Sequence, residues 1–118
     1  MFSPSVRARL LAILPDNYGV YAIRRDTPLP RVQGSSDIVY IGSATNQKGL
    51  KNRIGQYFSP GPTQSTNKRI LALITRPQGY EIGWVVMPTI TEAKAFEQEL
   101  LDGYLRDHSE LPPENHRR

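Results

Sequence analysis

The chain has 118 residues, 38% of them hydrophobic, and its 15 Lys and Arg against 11 Asp and Glu give a formal net charge of +4. This composition fits one globular domain with a modest core, and the basic balance favours a polyanionic partner such as nucleic acid without requiring one. The chain has no cysteine, which excludes disulfides, thiolate zinc sites and a cysteine nucleophile. Since no apolar run approaches the ~20 residues of a membrane span and no secretion signal is recognisable, we expect a cytoplasmic protein without a membrane partner.

The first half of the sequence predicts one helix and two strands. Residues 1–15 carry apolar residues at helical spacing. Residues 18–25 ("YGVYAIRR") and 37–42 ("DIVYIG") are rich in the aromatic and β-branched residues typical of strands. A Pro/Gly/Ser-rich stretch, 26–36, connects the two strands, so we expect a long-looped antiparallel hairpin.

The second half predicts three helices and a third strand. The helices are expected at 48–58, 68–74 and 91–108, the strand at 79–88, and a polar loop at 59–67. Thr91 is the expected cap of the last helix, and Glu92 in its first turn favours the helix dipole. The order α-β-β-α-α-β-α predicts a single α+β domain over 1–118, with a small three-stranded antiparallel sheet flanked by helices.

A carboxylate interrupts the apolar stripe of the last predicted helix. Glu97 lies four residues after Ala93 and four before Leu101, whereas Glu99 is turned about 200° away. Burying an ionised carboxylate without a partner costs on the order of several kcal/mol. Glu97 therefore needs either a structural ion pair at the core edge or a role as metal ligand or general acid/base in a cleft. The residues alone leave both interpretations open.

The helix predicted at 48–58 repeats this pattern with the opposite charge. Arg53 lies three residues after Leu50 and four before Tyr57, on their apolar face. Its guanidinium could extend to solvent, pair with Glu97, or present its donors to a phosphate.

Two tyrosines, Tyr21 in "GVY" and Tyr40 in "YIG", stand within two residues of a glycine. A tyrosine in a strand usually serves packing, but a neighbouring glycine indicates a close backbone approach or a bulge. The two histidines, His108 and His116, have no partner at ligand spacing, which argues against zinc.

Five segments in this order resemble the motifs of the GIY-YIG nuclease superfamily, over about residues 17–115. They are "GVY", "YIG", "LKNRIGQYF", "EAKAFEQELLDGYL" and "LPPEN". The resemblance places Arg53, Glu97 and Asn115 on functional positions of that family. Its fold is likewise a three-stranded antiparallel sheet among helices.

The resemblance implies a metal-dependent endonuclease that hydrolyses DNA phosphodiester bonds. Glu97 would hold a single Mg²⁺ or Mn²⁺ ion, and Arg53 would neutralise the phosphate in the transition state. Tyr21 would act as general base toward the attacking water, which Tyr40 would help to orient. Asn115 completes the set of site residues.

The sequence departs from the family pattern at Ser43, where many relatives have a lysine directly after "YIG". A tyrosine with an ordinary pKa near 10 is a poor base at neutral pH unless positive charge lowers that pKa. Arg53, Lys51, Arg24 or the metal would have to supply this charge, or the phenol would relay a proton through its hydrogen bonds.

Basic residues around the polar loop are expected to bind the DNA backbone, which gives affinity without sequence reading. They are Lys48, Lys51, Lys68 and Arg69. A solvated surface is the alternative for each of them. The sequence also leaves open a further targeting domain, a partner protein or a homodimer, the DNA specificity and the biological role. Two other functional hypotheses are a catalytically silent module that binds nucleic acid and a structural domain in which Arg53 pairs with Glu97.

Overall fold

The computed structural model describes residues 14–45, 49–58, 65–74 and 80–115. The strands are β1 (Gly19–Pro30), β2 (Ser35–Ala44) and β3 (Tyr80–Val86), and the helices are α1 (Gly49–Gly55), α2 (Ser65–Ile74) and α3 (Ile90–His108), with a 3-10 turn at Gln56–Phe58. β1 lies between β2 and β3 and is antiparallel to both. The predicted α+β class and three-stranded antiparallel sheet are confirmed. The predicted opening helix lies outside the described residues, apart from its last two positions.

The sheet separates two apolar clusters. The face that carries Tyr21 and Ile23 packs against α1, the 3-10 turn and α2, and its buried residues include Leu50, Ile54, Tyr57 and Ile70. The opposite face packs against α3 through Val20, Ile41, Ala93 and Leu101. None of the helices in the described ranges combines the length and the apolar character that a membrane span needs.

The hairpin of β1 and β2 is longer than the sequence predicts. β1 continues to Pro30 and β2 begins at Ser35, so most of the stretch predicted as a connection is strand. Its prolines are tolerated because β1 pairs with β3 only as far as Arg25 and pairs irregularly with β2 between Arg24 and Leu29. The actual turn spans residues 31–34, with Gly34 at φ 73°.

The N-cap of the long helix α3 lies two residues before the predicted one. Thr89, with extended backbone, is the N-cap, and its hydroxyl accepts a hydrogen bond of 3.1 Å from the Glu92 N–H. The prediction of Thr91 as cap is therefore wrong, although Glu92 does lie in the first turn. The helix ends at His108, and its C-cap, Ser109, adopts the left-handed conformation at φ 60°.

The C-terminal tail closes the free edge of β2. The Glu114 N–H donates to the Val39 carbonyl at 2.9 Å. The Asn115 side-chain amide binds the backbone of Ile41 in the same strand. It accepts from the Ile41 N–H and donates to the Ile41 carbonyl, both at 2.9 Å. Arg69 of α2 donates to the Glu114 carboxylate at 2.9 Å and so ties the tail to that helix. An edge strand covered in this way presents no open backbone groups near these residues.

Candidate active site

Tyr21 is held in the interior by the glycine of the neighbouring strand. Tyr21 pairs with Gly42 across the β1–β2 ladder, and a side-chain carbon on Gly42 would lie 2.7 Å from the Tyr21 hydroxyl oxygen. Only a glycine leaves room for the phenol at this position. The prediction that the glycine of "YIG" marks a close approach is confirmed.

A β-bulge directs Tyr40 toward the same place. Ile23 pairs with Tyr40 and Arg24 pairs with Ile38, so Val39 is an extra residue of β2 in this register. A bulge changes the direction of the side chains beside it. Ile38 accordingly packs toward α3, whereas Val39 and Tyr40 pack on the face of Tyr21.

Three phenols meet on this face, one of which the sequence did not reveal. The ring centroids of Tyr21 and Tyr40 are 6.1 Å apart, and Tyr57 of the 3-10 turn lies 6.1 Å from Tyr21 and 6.4 Å from Tyr40. The hydroxyls of Tyr21 and Tyr57 share a short hydrogen bond. The sequence assigned Tyr57 only to the apolar face of its helix, because its spacing is that of a core residue.

Burial holds the protons on two of these phenols. It raises the pKa of the Tyr21 hydroxyl well above its ordinary value, and the neighbouring Tyr40 raises it further, while Arg53 and the bond to Tyr57 lower it only in part. Burial and the nearby phenols also raise the pKa of Tyr57, and Arg53 opposes that rise only in part. Both groups are therefore neutral at physiological pH in the protein as it stands.

Arg53 lies beside the three phenols. Its guanidinium carbon is 4.9 Å from the Tyr57 ring centroid, and it donates to the neutral side-chain oxygen of Gln56 at 3.0 Å. It also interacts with the Tyr40 side chain. Among the described residues no carboxylate lies within 4.0 Å of Arg53, so its charge is directed at these phenols without a paired anion. Stacking on an aromatic ring is a common way to fix a guanidinium for anion binding.

Glu97 approaches from α3 on the other side of β2. Its side chain is half-buried, and burial raises the pKa of the carboxyl above its ordinary value, while a hydrogen bond from Ser43 and the charges of Arg53 and Lys94 oppose that rise. None of the four salt bridges found among the described residues includes Glu97. The alternative in which Arg53 and Glu97 form an ion pair is not what the structure contains.

These surroundings fit a single, largely hydrated metal ion. In the described ranges, no three or more His, Cys, Asp or Glu side chains are grouped so that they could hold a metal ion together. A metal bound by several such ligands therefore has no site there. Glu97 offers a half-buried carboxylate without a paired cation, which is what a hard ion that keeps most of its waters requires.

The other predicted site residues are distributed differently. Asn115 has both amide atoms bonded to the backbone of Ile41, next to Tyr40. Arg69 pairs with Glu114, Lys68 is exposed, Lys51 is partly exposed, and Lys48 lies outside the described residues. Arg24 is not a source of charge for Tyr21, because it points to the opposite face and pairs with Glu81 at 3.1 Å and with Asp37 at 3.9 Å.

The chain matches no family model, but it is similar to one curated protein. Its sequence is 31% identical over 91 residues to UvrABC system protein C of Gloeobacter violaceus. The aligned region spans 77% of this chain and 12% of that protein. The chain thus corresponds to a small part of the relative.

Solved structures show the same fold. The GIY-YIG N-terminal endonuclease domain of UvrC from Thermotoga maritima, bound to its catalytic divalent cation magnesium, is similar at a TM-score of 0.61 and 21% identity, over 97% of this chain and 99% of that chain. Variants of that domain with one tyrosine changed to phenylalanine, also bound to the cation, give a TM-score of 0.62 at 21% identity, over 98% of this chain and 100% of theirs. This chain has the fold of a GIY-YIG endonuclease domain. The sequence comparison and the fold comparison thus both give similarity to UvrC proteins.

Proposed function

We propose that the protein is an endonuclease that hydrolyses phosphodiester bonds of DNA with the help of one divalent metal ion. The observation that carries this proposal is the half-buried Glu97 carboxylate, which has no ion pair among the described residues although its charge interacts with Arg53 and with the buried phenol of Tyr21. A purely structural carboxylate would be stabilised by pairing with the nearest guanidinium. The fold and the sequence likeness support the same conclusion.

Glu97 is the residue that would hold the metal, Mg²⁺ or Mn²⁺, and the neighbouring Ser43 hydroxyl favours the ionised form of its carboxylate. When bound, such an ion stabilises negative charge on the leaving oxygen. In the reaction a water oxygen forms a bond to phosphorus, and the bond from phosphorus to one sugar oxygen breaks. The water's proton is released and the sugar oxygen takes up a proton, so that one water is consumed for each bond cut.

Arg53 stabilises the charge that develops on the phosphate. Its stacking on Tyr57 and its bond to Gln56 hold the guanidinium in one orientation before substrate arrives. Electrostatic stabilisation by a preorganised donor requires no rearrangement at the moment of reaction. Because the Gln56 acceptor is neutral, it does not cancel the positive charge that acts on the bound anion.

The phenols divide their roles in a way that differs from the expectation for Tyr21. Tyr21 is fully buried and keeps its proton at neutral pH, so we assign it to holding Tyr57 and the backbone of β2 in place. Tyr40 is only partly buried and interacts with Arg53. We therefore propose that Tyr40 is the phenol whose hydroxyl binds and orients the attacking water.

The proposal is tested by nicking of supercoiled plasmid DNA with Mg²⁺, with Mn²⁺ and with EDTA. We expect metal-dependent nicking that Glu97→Ala reduces by at least about 100-fold, the order of loss seen when a group that stabilises the transition state is removed. The matched control is Glu99→Ala, which removes an exposed carboxylate of the same helix and should leave nicking unchanged.

Two outcomes would overturn the proposal. Nicking that persists in EDTA or in Glu97→Ala would show that cleavage does not depend on a metal ion held by Glu97. A folded wild-type protein that binds DNA but does not nick it with any metal would favour the catalytically silent binding module instead.

A further inference from the structure

Lys94 is a charged residue beside the proposed site that the sequence did not single out. It lies on α3 three residues before Glu97, a spacing that places both side chains on one side of the helix. Its positive charge acts on the Glu97 carboxylate. Lys94 is exposed to solvent, whereas Glu97 is half-buried.

Lys94 does not serve as the ion-pair partner of Glu97. Residues three apart on a helix can bring an ammonium into contact with a carboxylate. Yet none of the salt bridges within 4.0 Å in the described part of the chain includes either residue. The hydrogen bond to Glu97 comes from the neutral hydroxyl of Ser43. The exposed Lys94 side chain thus places a positive charge near the carboxylate without forming an ion pair with it.

An ammonium in this position is unfavourable for metal binding alone. Neighbouring positive charges repel each other, and a divalent ion at Glu97 would be repelled twice as strongly as a monovalent one at the same place. Arg53 adds a third positive charge on the side of the phenols. An anion bound beside these three cationic groups offsets their mutual repulsion. A phosphodiester backbone supplies such anions at short, regular spacing.

We propose that Lys94 is a further substrate-binding residue of this site, whose ammonium binds a non-bridging oxygen of the DNA phosphate next to Glu97. The proposal rests on the proposed function, because it takes DNA as the substrate. Lysine suits this role since its ammonium acts as a flexible point charge on phosphate. Lys94 thereby contributes affinity for the backbone rather than recognition of bases.

The first test is the affinity for a fluorescently labelled DNA duplex, measured by anisotropy in EDTA at several salt concentrations. Lys94→Ala should weaken binding roughly three- to tenfold at low salt and should reduce the slope of log affinity against log salt by about 0.9, the value for one lost phosphate contact. Lys94→Arg should bind like the wild type. The matched control is Arg106→Ala, which removes an exposed positive charge from the same helix about 18 Å farther along its axis, and it should leave affinity and slope unchanged.

The second test is the affinity for Mn²⁺ without DNA, measured by electron paramagnetic resonance. Here Lys94→Ala should bind the ion about two- to fivefold more tightly at low salt, because a nearby positive charge has been removed. A variant that merely damages the structure would weaken both ligands. The expected opposite signs, weaker for DNA and tighter for Mn²⁺, are specific to a phosphate-binding ammonium at the metal site.

The outcomes separate this proposal from the proposed function. If Lys94→Ala binds DNA like Arg106→Ala, or binds Mn²⁺ no more tightly than wild type, the role of Lys94 is refuted, while metal-dependent nicking that requires Glu97 would still stand. If the wild type binds DNA with the expected dependence on Lys94 yet never nicks it, the endonuclease activity is refuted and the DNA contact stands. A wild-type protein that binds no DNA refutes both.

Discussion

At the scale of single residues, the burial of Tyr21 determines what chemistry its phenol can perform. A tyrosine in the interior ionises only if positive charge compensates for the loss of hydration. Arg53 acts in that direction but does not outweigh burial and the neighbouring phenols. Tyr21 therefore contributes a fixed hydroxyl. A site that needs a proton acceptor must find it in a less buried group or in solvent.

This conclusion predicts how the tyrosines titrate. The chain contains six tyrosines, and at about pH 11, one unit above the ordinary pKa near 10, Tyr21 and Tyr57 should still be protonated in the folded protein. Tyr21→Phe should then leave the near-ultraviolet tyrosinate absorbance of the folded protein unchanged, although it removes one tyrosinate from the denatured protein. Since the unfolded chain releases these protons near pH 10 and the folded chain does not, folding stability should fall as the pH rises above 10. A loss of one tyrosinate from folded Tyr21→Phe at this pH would show that Tyr21 ionises and restore it as a base.

The residues that the sequence did not reveal share one property: their role depends on a contact between distant parts of the chain. Tyr57 meets Tyr21 across 36 positions, and Ser43 meets Glu97 only because β2 and α3 pack together. Hydrophobic periodicity assigns Tyr57 to the core, where it does lie, but says nothing of which hydroxyl it meets. Glu97 and Arg53 were recognisable because charged groups inside apolar stripes are anomalies of local pattern.

At the scale of secondary-structure elements, the local pattern predicted the type of each described helix and strand but not all of their ends. The hairpin was underestimated because Pro28 and Pro30 are read as loop residues, whereas they lie where β1 has lost one of its two neighbours. The bulge at Val39 was likewise hidden, since it is a property of the pairing between strands. This bulge places Tyr40 on the face of the site.

The tail that covers the edge of β2 gives Asn115 a positioning role with a measurable consequence. Its amide satisfies the N–H and the carbonyl of Ile41, directly beside Tyr40. Asn115→Ala should lower the free energy of unfolding by about 1–3 kcal/mol, as expected when partly buried polar groups lose their partners. Glu114→Ala is the matched neighbour, because it leaves the Asn115 amide in place and removes the pair with the partly exposed Arg69, which should cost less than about 1 kcal/mol. Urea unfolding measures both values.

Activity measurements separate this role from direct contact with substrate. If Asn115 acts by positioning Tyr40, Asn115→Ala should reduce nicking less than Glu97→Ala does and should leave Mn²⁺ affinity unchanged. If Asn115→Ala kept full stability but lost nicking completely, the result would instead indicate that the Asn115 amide contacts the DNA directly.

At the scale of the whole molecule, the site is assembled from elements on both faces of the sheet. Tyr21, Tyr40 and Arg53 belong to the cluster with α1 and the 3-10 turn, and Glu97 belongs to α3 on the other face. β2 connects the two halves, since it carries Tyr40 toward one face and Ser43 toward the other. A carboxylate kept half-buried without a paired cation should reduce the stability of the metal-free fold, because ionised groups favour water.

The cost of keeping Glu97 for metal binding is therefore measurable as a change in thermal stability. Because burial raises the pKa of Glu97, the folded state favours the neutral form, and stability should fall as the pH rises through that raised pKa. Glu97→Gln should thus stabilise the metal-free protein at neutral pH by less than about 1 kcal/mol after solvent screening, which raises Tm by up to about 4 °C.

Added Mg²⁺ at about ten times its Kd should stabilise the wild type by about 1.4 kcal/mol and leave Glu97→Gln unaffected. Glu99→Gln, on the exposed side of the same helix, should behave like the wild type in both measurements. A Glu97→Gln variant that still gains stability from Mg²⁺ would show that the metal binds elsewhere, and one that melts below the metal-free wild type would show that Glu97 stabilises the fold.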